Sequence, residues 1–149
     1  MNWLQAEAAL RTYIETQWAL SSYSTTELVW ENEPEPDLPR YMGIYIEGVY
    51  SEKGLYGSVG KHSSVEAGII FFHSFVPSGE GKAEAVNSVI TLSEILELKT
   101  IENVIDLEGA NPPSPAIYGT DDQLLPNPQP GGNYYRCSGS VPFIIRGSR

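Results

Sequence analysis

A single cysteine, Cys137, is all the sulfur chemistry this sequence offers, so no disulfide can form within the chain. Histidine is nearly as scarce, with only His62 and His73. A metal centre wants His, Cys or carboxylate ligands clustered at matched spacing, and no such cluster is written here. Cations are few: 9 Lys and Arg against 19 Asp and Glu, a net charge of −10. That balance argues against a nucleic-acid groove, which needs a basic patch. Long apolar runs are missing too. The opening "MNWLQAEAALRTYIETQW" has no basic n-region and no continuous apolar stretch, so neither a signal peptide nor a membrane span is expected.

Catalytic motifs are also lacking. Gly79-Glu80-Gly81-Lys82 leads into a helical pattern and superficially suggests a phosphate loop. A P-loop needs a glycine five residues before Gly81, where Val76 stands, and a hydroxyl after the lysine, where Ala83 stands. The dinucleotide pattern fails at Glu84, and Glu80 and Glu84 would repel a phosphate. The stretch reads instead as a helix entry. Ser78 is its candidate N-cap, and Glu80 and Glu84 lie near the positive end of the helix dipole. No G-x-S-x-G elbow accompanies the serines.

What is present points to one folded domain spanning 1–149. Apolar residues make up 41% of the 149 and aromatics 11%, enough for a sizeable core. Ala6, Leu10, Tyr13, Ile14 and Trp18 recur at helical spacing, so 2–20 is expected to be a helix, capped by Asn2 with Gln5 completing a capping box. "ELVWENE" is a short strand that runs into prolines. "YMGIYIEGVY" is a strand with Met42, Ile44 and Ile46 on one face. After a polar, glycine-rich connection, "SVEAGIIFFHSFVP" is a long strand. It places Val65, Ala67, Ile69, Phe71 and Phe75 on one face and Ile70, Phe72 and Val76 on the other, so both faces are expected to be partly covered. These two strands suggest an extended antiparallel hairpin.

A second helix is expected over 79–98, with Val86, Val89, Ile90, Leu92 and Leu96 on a broad stripe. "TIENVIDLEG" reads as one strand with Ile101, Ile105 and Leu107 inward. Residues 108–132 form a long proline-rich loop, of a length usually reserved for function or mobility. "YYRCSGSVPFIIRG" closes the chain as a strand in which Pro142 requires an edge or a bulge. The order α-β-β-β-α-β-β, with its strands in a meander, predicts an α+β fold: a mainly antiparallel sheet with both helices on one face.

No constellation rises to an active site, and no catalytic residue, cofactor site or metal site is assigned. A Cys–His nucleophile could be built from Cys137 and His73. Nothing local to Cys137 supports it, and a buried small cysteine is the commoner case. "TDD", Thr120 to Asp122, suits a polar loop tip as well as a cation. "NPPSP" suits a stiffened loop as well as a polyproline ligand. The acidic "ENEPEPD" reads as a solvated edge.

The layout and three stretches together resemble the bacteriophage tail-terminator family, also called minor tail or tail-completion proteins. The first stretch is the "LRTYIETQW" helix, followed by a short proline-ended strand and "PRYMGIYIEGVY". The second is "GIIFFHSFVPSGEGKAEAVNSVITLSEIL", a strand running through P-x-G-x-G into a long helix. The third is the terminal "NYYRCSGSVPFIIR". The resemblance spans nearly the whole chain; the proline-rich loop is longer than the pattern.

The resemblance implies a non-enzymatic virion protein, assembled in the host cytoplasm and located at the neck of the tail. Its partners would be copies of itself in a ring, typically of six, the tail tube protein, and the head-side connector or stopper. DNA would pass through the lumen without specific binding, which the net charge suits. Interface residues are expected in two loops: Glu52, Lys53, Tyr56 and His62 in the first, Tyr118, Asp121, Asp122, Leu124 and Leu125 in the second. Exposed loops with aromatic or apolar tips invite a partner. A head-completion or stopper protein of the same neck is the alternative, followed by a small α+β enzyme or ligand-binding domain.

Overall fold

A computed structural model of the chain describes residues 2–31, 33, 40–53, 63–77, 82–118 and 134–148. The fold is α+β. Helix α1 (Trp3–Ala19) precedes strands β1 (Glu27–Trp30), β2 (Tyr41–Lys53) and β3 (Ser63–Pro77). Helix α2 (Lys82–Leu96) follows, then β4 (Thr100–Ile101), β5 (Ile105–Leu107), β6 (Ser114–Tyr118) and β7 (Tyr134–Ser148). The strands form one sheet in the order β1-β2-β3-β7-β5-β4, with β6 also paired to β7.

Helix α1 begins where its cap chemistry says it should. The Asn2 side chain accepts from the Gln5 N–H at 2.8 Å, and the Gln5 side chain accepts from the Asn2 N–H at 2.9 Å. This reciprocal pair satisfies two of the donors a helix start leaves open. The buried stripe is Ala6, Leu10, Ile14 and Trp18, as the spacing predicts. Helix α2 buries Ala85, Ser88, Val89, Leu92, Ser93 and Leu96, whereas Ile90 points outward. Both helices cover the same face of the sheet. They meet Met42, Ile44 and Ile46 of β2, Ile70, Phe72 and Val76 of β3, and Cys137, Val141, Phe143 and Ile145 of β7 in one continuous core. Tyr13 fixes the two helices to each other through a 3.0 Å hydrogen bond from its hydroxyl to the Ile95 carbonyl.

Four expectations need correction. The first three strands are not a meander: β1 runs parallel to β2, so the chain between them must cross back rather than turn tightly. "TIENVIDLEG" is not one strand but the β4–β5 hairpin, turned by Glu102 and Asn103, both at positive φ. The proline-rich segment is not wholly loop, since β6 lies within it. Pro142 is not at an edge or a bulge; it sits in β7 opposite Ile69 of the inner strand β3.

The strand tolerates Pro142 for a geometric reason. Its carbonyl accepts from the Glu108 N–H at 2.9 Å, so residue 142 turns its backbone groups away from β3. On that side β5 reaches only to Phe143 and β6 only to Ser138. The missing N–H therefore falls in the gap between two short strands, where no ladder bond is lost.

The core is tight around Gly139. A Cβ at Gly139 would stand 2.5 Å from Phe72 Cε2 and 2.8 Å from Val89 Cγ1, whereas one at Gly109 would meet nothing within 4 Å. Overpacking of this kind costs about 1–3 kcal/mol. Gly139→Ala is thus expected to lower the free energy of unfolding in a urea titration by about that amount, and Gly109→Ala to leave it nearly unchanged.

Candidate functional site

The face of the sheet that the helices leave open carries the candidate site. Because side chains alternate along a strand, the residues opposite the core share this second face. They are Tyr41, Gly43, Tyr45 and Glu47 on β2, Ile69, Phe71, His73 and Phe75 on β3, and Arg136, Ser138, Ser140 and Pro142 on β7. The register sets them in rows: Tyr41–Phe75–Arg136, Gly43–His73–Ser138, Tyr45–Phe71–Ser140 and Glu47–Ile69–Pro142.

The aromatic rings make a continuous ladder. Tyr41 stacks on Phe75 at 4.7 Å and Tyr45 on Phe71 at 4.9 Å between centroids. His73 lies between them, 5.7 Å from Tyr45 and 6.4 Å from Phe75. Cross-strand aromatic pairs of this kind contribute roughly 0.5–1.5 kcal/mol each beyond their burial. Phe71, His73 and Phe75 are half-buried, and among the described residues no helix lies over them.

Beside the ladder is a shallow groove of about 380 Å³, lined by Tyr45, Phe71, His73, Asn111, Arg136 and Ser138 among others. His73 Nδ1 is 2.7 Å from the Ser138 hydroxyl. Burial, and secondarily the Arg136 charge, lower the His73 pKa to about 4. The ring is therefore neutral at physiological pH and packs as an aromatic. A larger hollow, about 690 Å³, runs along α1 past Ala8, Thr12 and Tyr13, but Glu102 is the one charged residue lining it and it holds no nucleophile–base pair.

The arrangement separates the two groups that might have formed a nucleophile. Cys137 pairs with Ser74 and His73 with Ser138, one residue apart in register, so the thiol lies in the core and the imidazole on the opposite face of the sheet. Burial raises the Cys137 pKa further from the reactive thiolate. Among the described residues, this face offers aromatic surface, the Arg136 guanidinium, the Glu47 carboxylate and several hydroxyls.

Of the expected interface residues, Glu52 and Lys53 belong to β2, opposite Val65 and Ser64, and not to a loop. Tyr118 likewise belongs to β6, opposite Tyr134. Tyr56, His62, Asp121, Asp122, Leu124 and Leu125 lie outside the described residues, as do Ser78 and Thr120. Of the acidic run after β1, the described Glu31 and Glu33 are exposed, in keeping with a solvated edge; Glu33 pairs with Arg11 at 3.2 Å, and Glu31 accepts from the Ile46 N–H at 3.4 Å. Glu84, in the first turn of α2, pairs with Arg40 at 3.0 Å. The sequence reading left Tyr45, Arg136 and Ser138 out of any site. Their signal was the alternation itself, which made both faces of "GIIFFHSFVP" apolar when helices were available for only one.

The fold is α+β, with one sheet face covered by both helices and a second face that no helix covers among the described residues. No family model and no curated protein matches the chain. A solved structure, one of twelve matching chains, is similar in fold with a TM-score of 0.63 over 97% of this chain and 96% of its own, at 12% identity; its description names no activity. Among the described residues, no helix is long and apolar enough to cross a membrane.

The position of His73 generates a pH prediction. Its folded pKa, about 4, lies below the unfolded value near 6.5. Between those values the unfolded chain binds the extra proton, so stability falls as pH drops through this window. The His73 ring is expected to titrate near 4 by NMR, and His73→Asn to reduce the dependence of stability on pH between about 6.5 and 4.

Proposed function

We propose that this chain is a structural virion protein that caps the tail tube as a ring, ends tube polymerisation and joins the tail to the head-side connector. The observation that supports it best is the open sheet face. A continuous ladder of Tyr41, Phe75, His73, Tyr45 and Phe71 has no described helix above it, and all of its rings but the buried Tyr41 keep part of their surface exposed. A half-buried aromatic patch of this kind suits an interaction site, and aromatic residues with arginine are enriched at the centres of protein interfaces. Each of the three stretches that resemble tail terminators contributes to a strand of this face: the first includes residues 41–50 of β2, the second 68–77 of β3 and the third 134–146 of β7. A ring of identical subunits needs a heterologous contact that closes by rotation. An acidic lumen would let DNA slide by, since its phosphates would find few cations to hold.

Native mass measurement of the chain, alone and mixed with tail tube subunits, tests this reading. A closed ring is expected, alone or on the tube end, with tubes of limited length when the chain is present. Binding to the portal side with no effect on tube length would instead favour the stopper reading. Phe71→Asp is expected to remain folded by circular dichroism yet weaken ring assembly or tube binding by roughly tenfold or more. Unchanged assembly in a folded Phe71→Asp variant would remove the open face from the mechanism.

A further inference from the structure

Among the described residues, the two longer stretches of unpaired strand edge are the outer side of β2 beyond Ile46 and the outer side of β6, at diagonally opposite corners; β1 and β4, which end the strand order, add short edges of four and two residues. On one side β1 pairs only with residues 41–44 of β2. The Glu31 N–H still donates to the Ile44 carbonyl, and the Glu31 carboxylate then accepts from the Ile46 N–H, standing in for the next residue of a strand. Beyond that point β2 continues to Lys53 with β3 on its inner side and, among the described residues, no strand on its outer side.

The pairing fixes which backbone groups face outward. Ile44 and Ile46 turn theirs away from β3, so by alternation Gly48 does too. A bulge between Gly48 and Tyr50 inserts Val49. Past it, Ser51 stands opposite Glu66 and Lys53 opposite Ser64, which share the phase of Gly68, the partner of Gly48. Ser51 and Lys53 therefore also face outward. Two exposed apolar side chains, Val49 at 56% and Leu4 at 74%, flank this edge.

On the other side, β6 (Ser114–Tyr118) pairs with β7 along Tyr134–Ser138 and, among the described residues, has no strand on its outer side. That corner holds the start of β2 and the end of β3. The open edge of β2 lies at the far end, beside the start of β3 and the end of β7, where β5 and β4 fill the opposite margin. Across the sheet from these edges stand the short strands β4 and β1, whose own outer sides are only two and four residues long.

We infer that the outer edge of β2 in one copy pairs antiparallel with the outer edge of β6 in the next, so that a ring of copies carries one continuous sheet. This inference rests on the ring-forming reading and specifies how its subunits join. An extended backbone is the one partner chemistry that satisfies a row of unpaired N–H and C=O groups. The same chain supplies that partner from its other margin, which is what a heterologous contact requires. The diagonal placement builds in a stagger between neighbouring sheets, and a closed circle of strands needs stagger together with tilt.

Hydrogen exchange followed by mass spectrometry on the isolated chain and on the assembled ring tests the inference. Peptides covering 47–53 and 114–118 are both expected to exchange roughly tenfold or more slowly in the ring, since their outward amides become ladder donors. Ser51→Pro, which removes one outward N–H without touching the β3 ladder, is expected to keep the chain folded and to lower ring yield at least tenfold. Should a ring form with protection at only one edge or at neither, or should a folded Ser51→Pro variant assemble normally, edge pairing is overturned while the ring-forming reading stands. A wild-type chain that forms no ring, alone or with tube subunits, overturns both.

Discussion

The uninterrupted pairing of β3 is the constraint on which the remaining structure depends. Every residue from Ser63 to Pro77 has a partner on β7, and the same strand pairs with β2 from Ser64 to Phe75. A strand held on both sides has no freedom to slip, because a shift of one residue would exchange its two faces. One face is then committed to Ile70, Phe72 and Val76 and must be dried by helices. The other is committed to Ile69, Phe71, His73 and Phe75. The buried hydroxyls of Ser74 and Ser88 tie this strand to α2 through a 2.7 Å hydrogen bond, so even the polar member of the core face is satisfied.

Much of this was legible because it depends on period. The stripe of α1, the cap at Asn2, the inward set of β2 and the two faces of β3 all follow from spacings of 3.6 or 2. What escaped the reading depends on partners. Nothing in "TIENVIDLEG" announces that Glu102 and Asn103 adopt positive φ, a conformation in which asparagine is tolerated but glutamate is unusual. Pro142 suggested an edge because the rule was applied to the strand as a whole; the structure applies it to one side of one residue. β6 was hidden by its prolines, although its pairing with β7 runs through Pro115 opposite Cys137. The candidate site was half legible. The two-residue spacing of Phe71, His73 and Phe75 puts them on one face of a strand, but Arg136 and Ser138 join them only once β7 is known to lie against β3.

The two faces also decide what the chain cannot easily do with its scarce reactive groups. A Cys–His nucleophile needs both side chains on one side of a wall, and the register puts the sheet between them. Burial then acts on both in the direction of neutrality: the thiol holds its proton more tightly and the imidazole refuses one. Each is more useful as packing than as chemistry.

On the proposed reading, open edges and a half-buried aromatic face would be liabilities for subunits that stay dispersed before they assemble. Several features limit the hazard. Glu31 occupies the first exposed donor of β2, the Val49 bulge breaks the flatness of the edge, and Glu47 places a charge on the open face. A net charge of −10 adds long-range repulsion between copies. Repulsion of that kind falls off within about 10 Å at 0.1 M salt, whereas strand pairing acts at contact. Copies of an acidic chain would thus resist random encounter yet remain able to join when a template holds them side by side. On the proposed reading the end of a tail tube is such a template, and the same charge that keeps free subunits apart would leave the finished lumen without a grip on DNA.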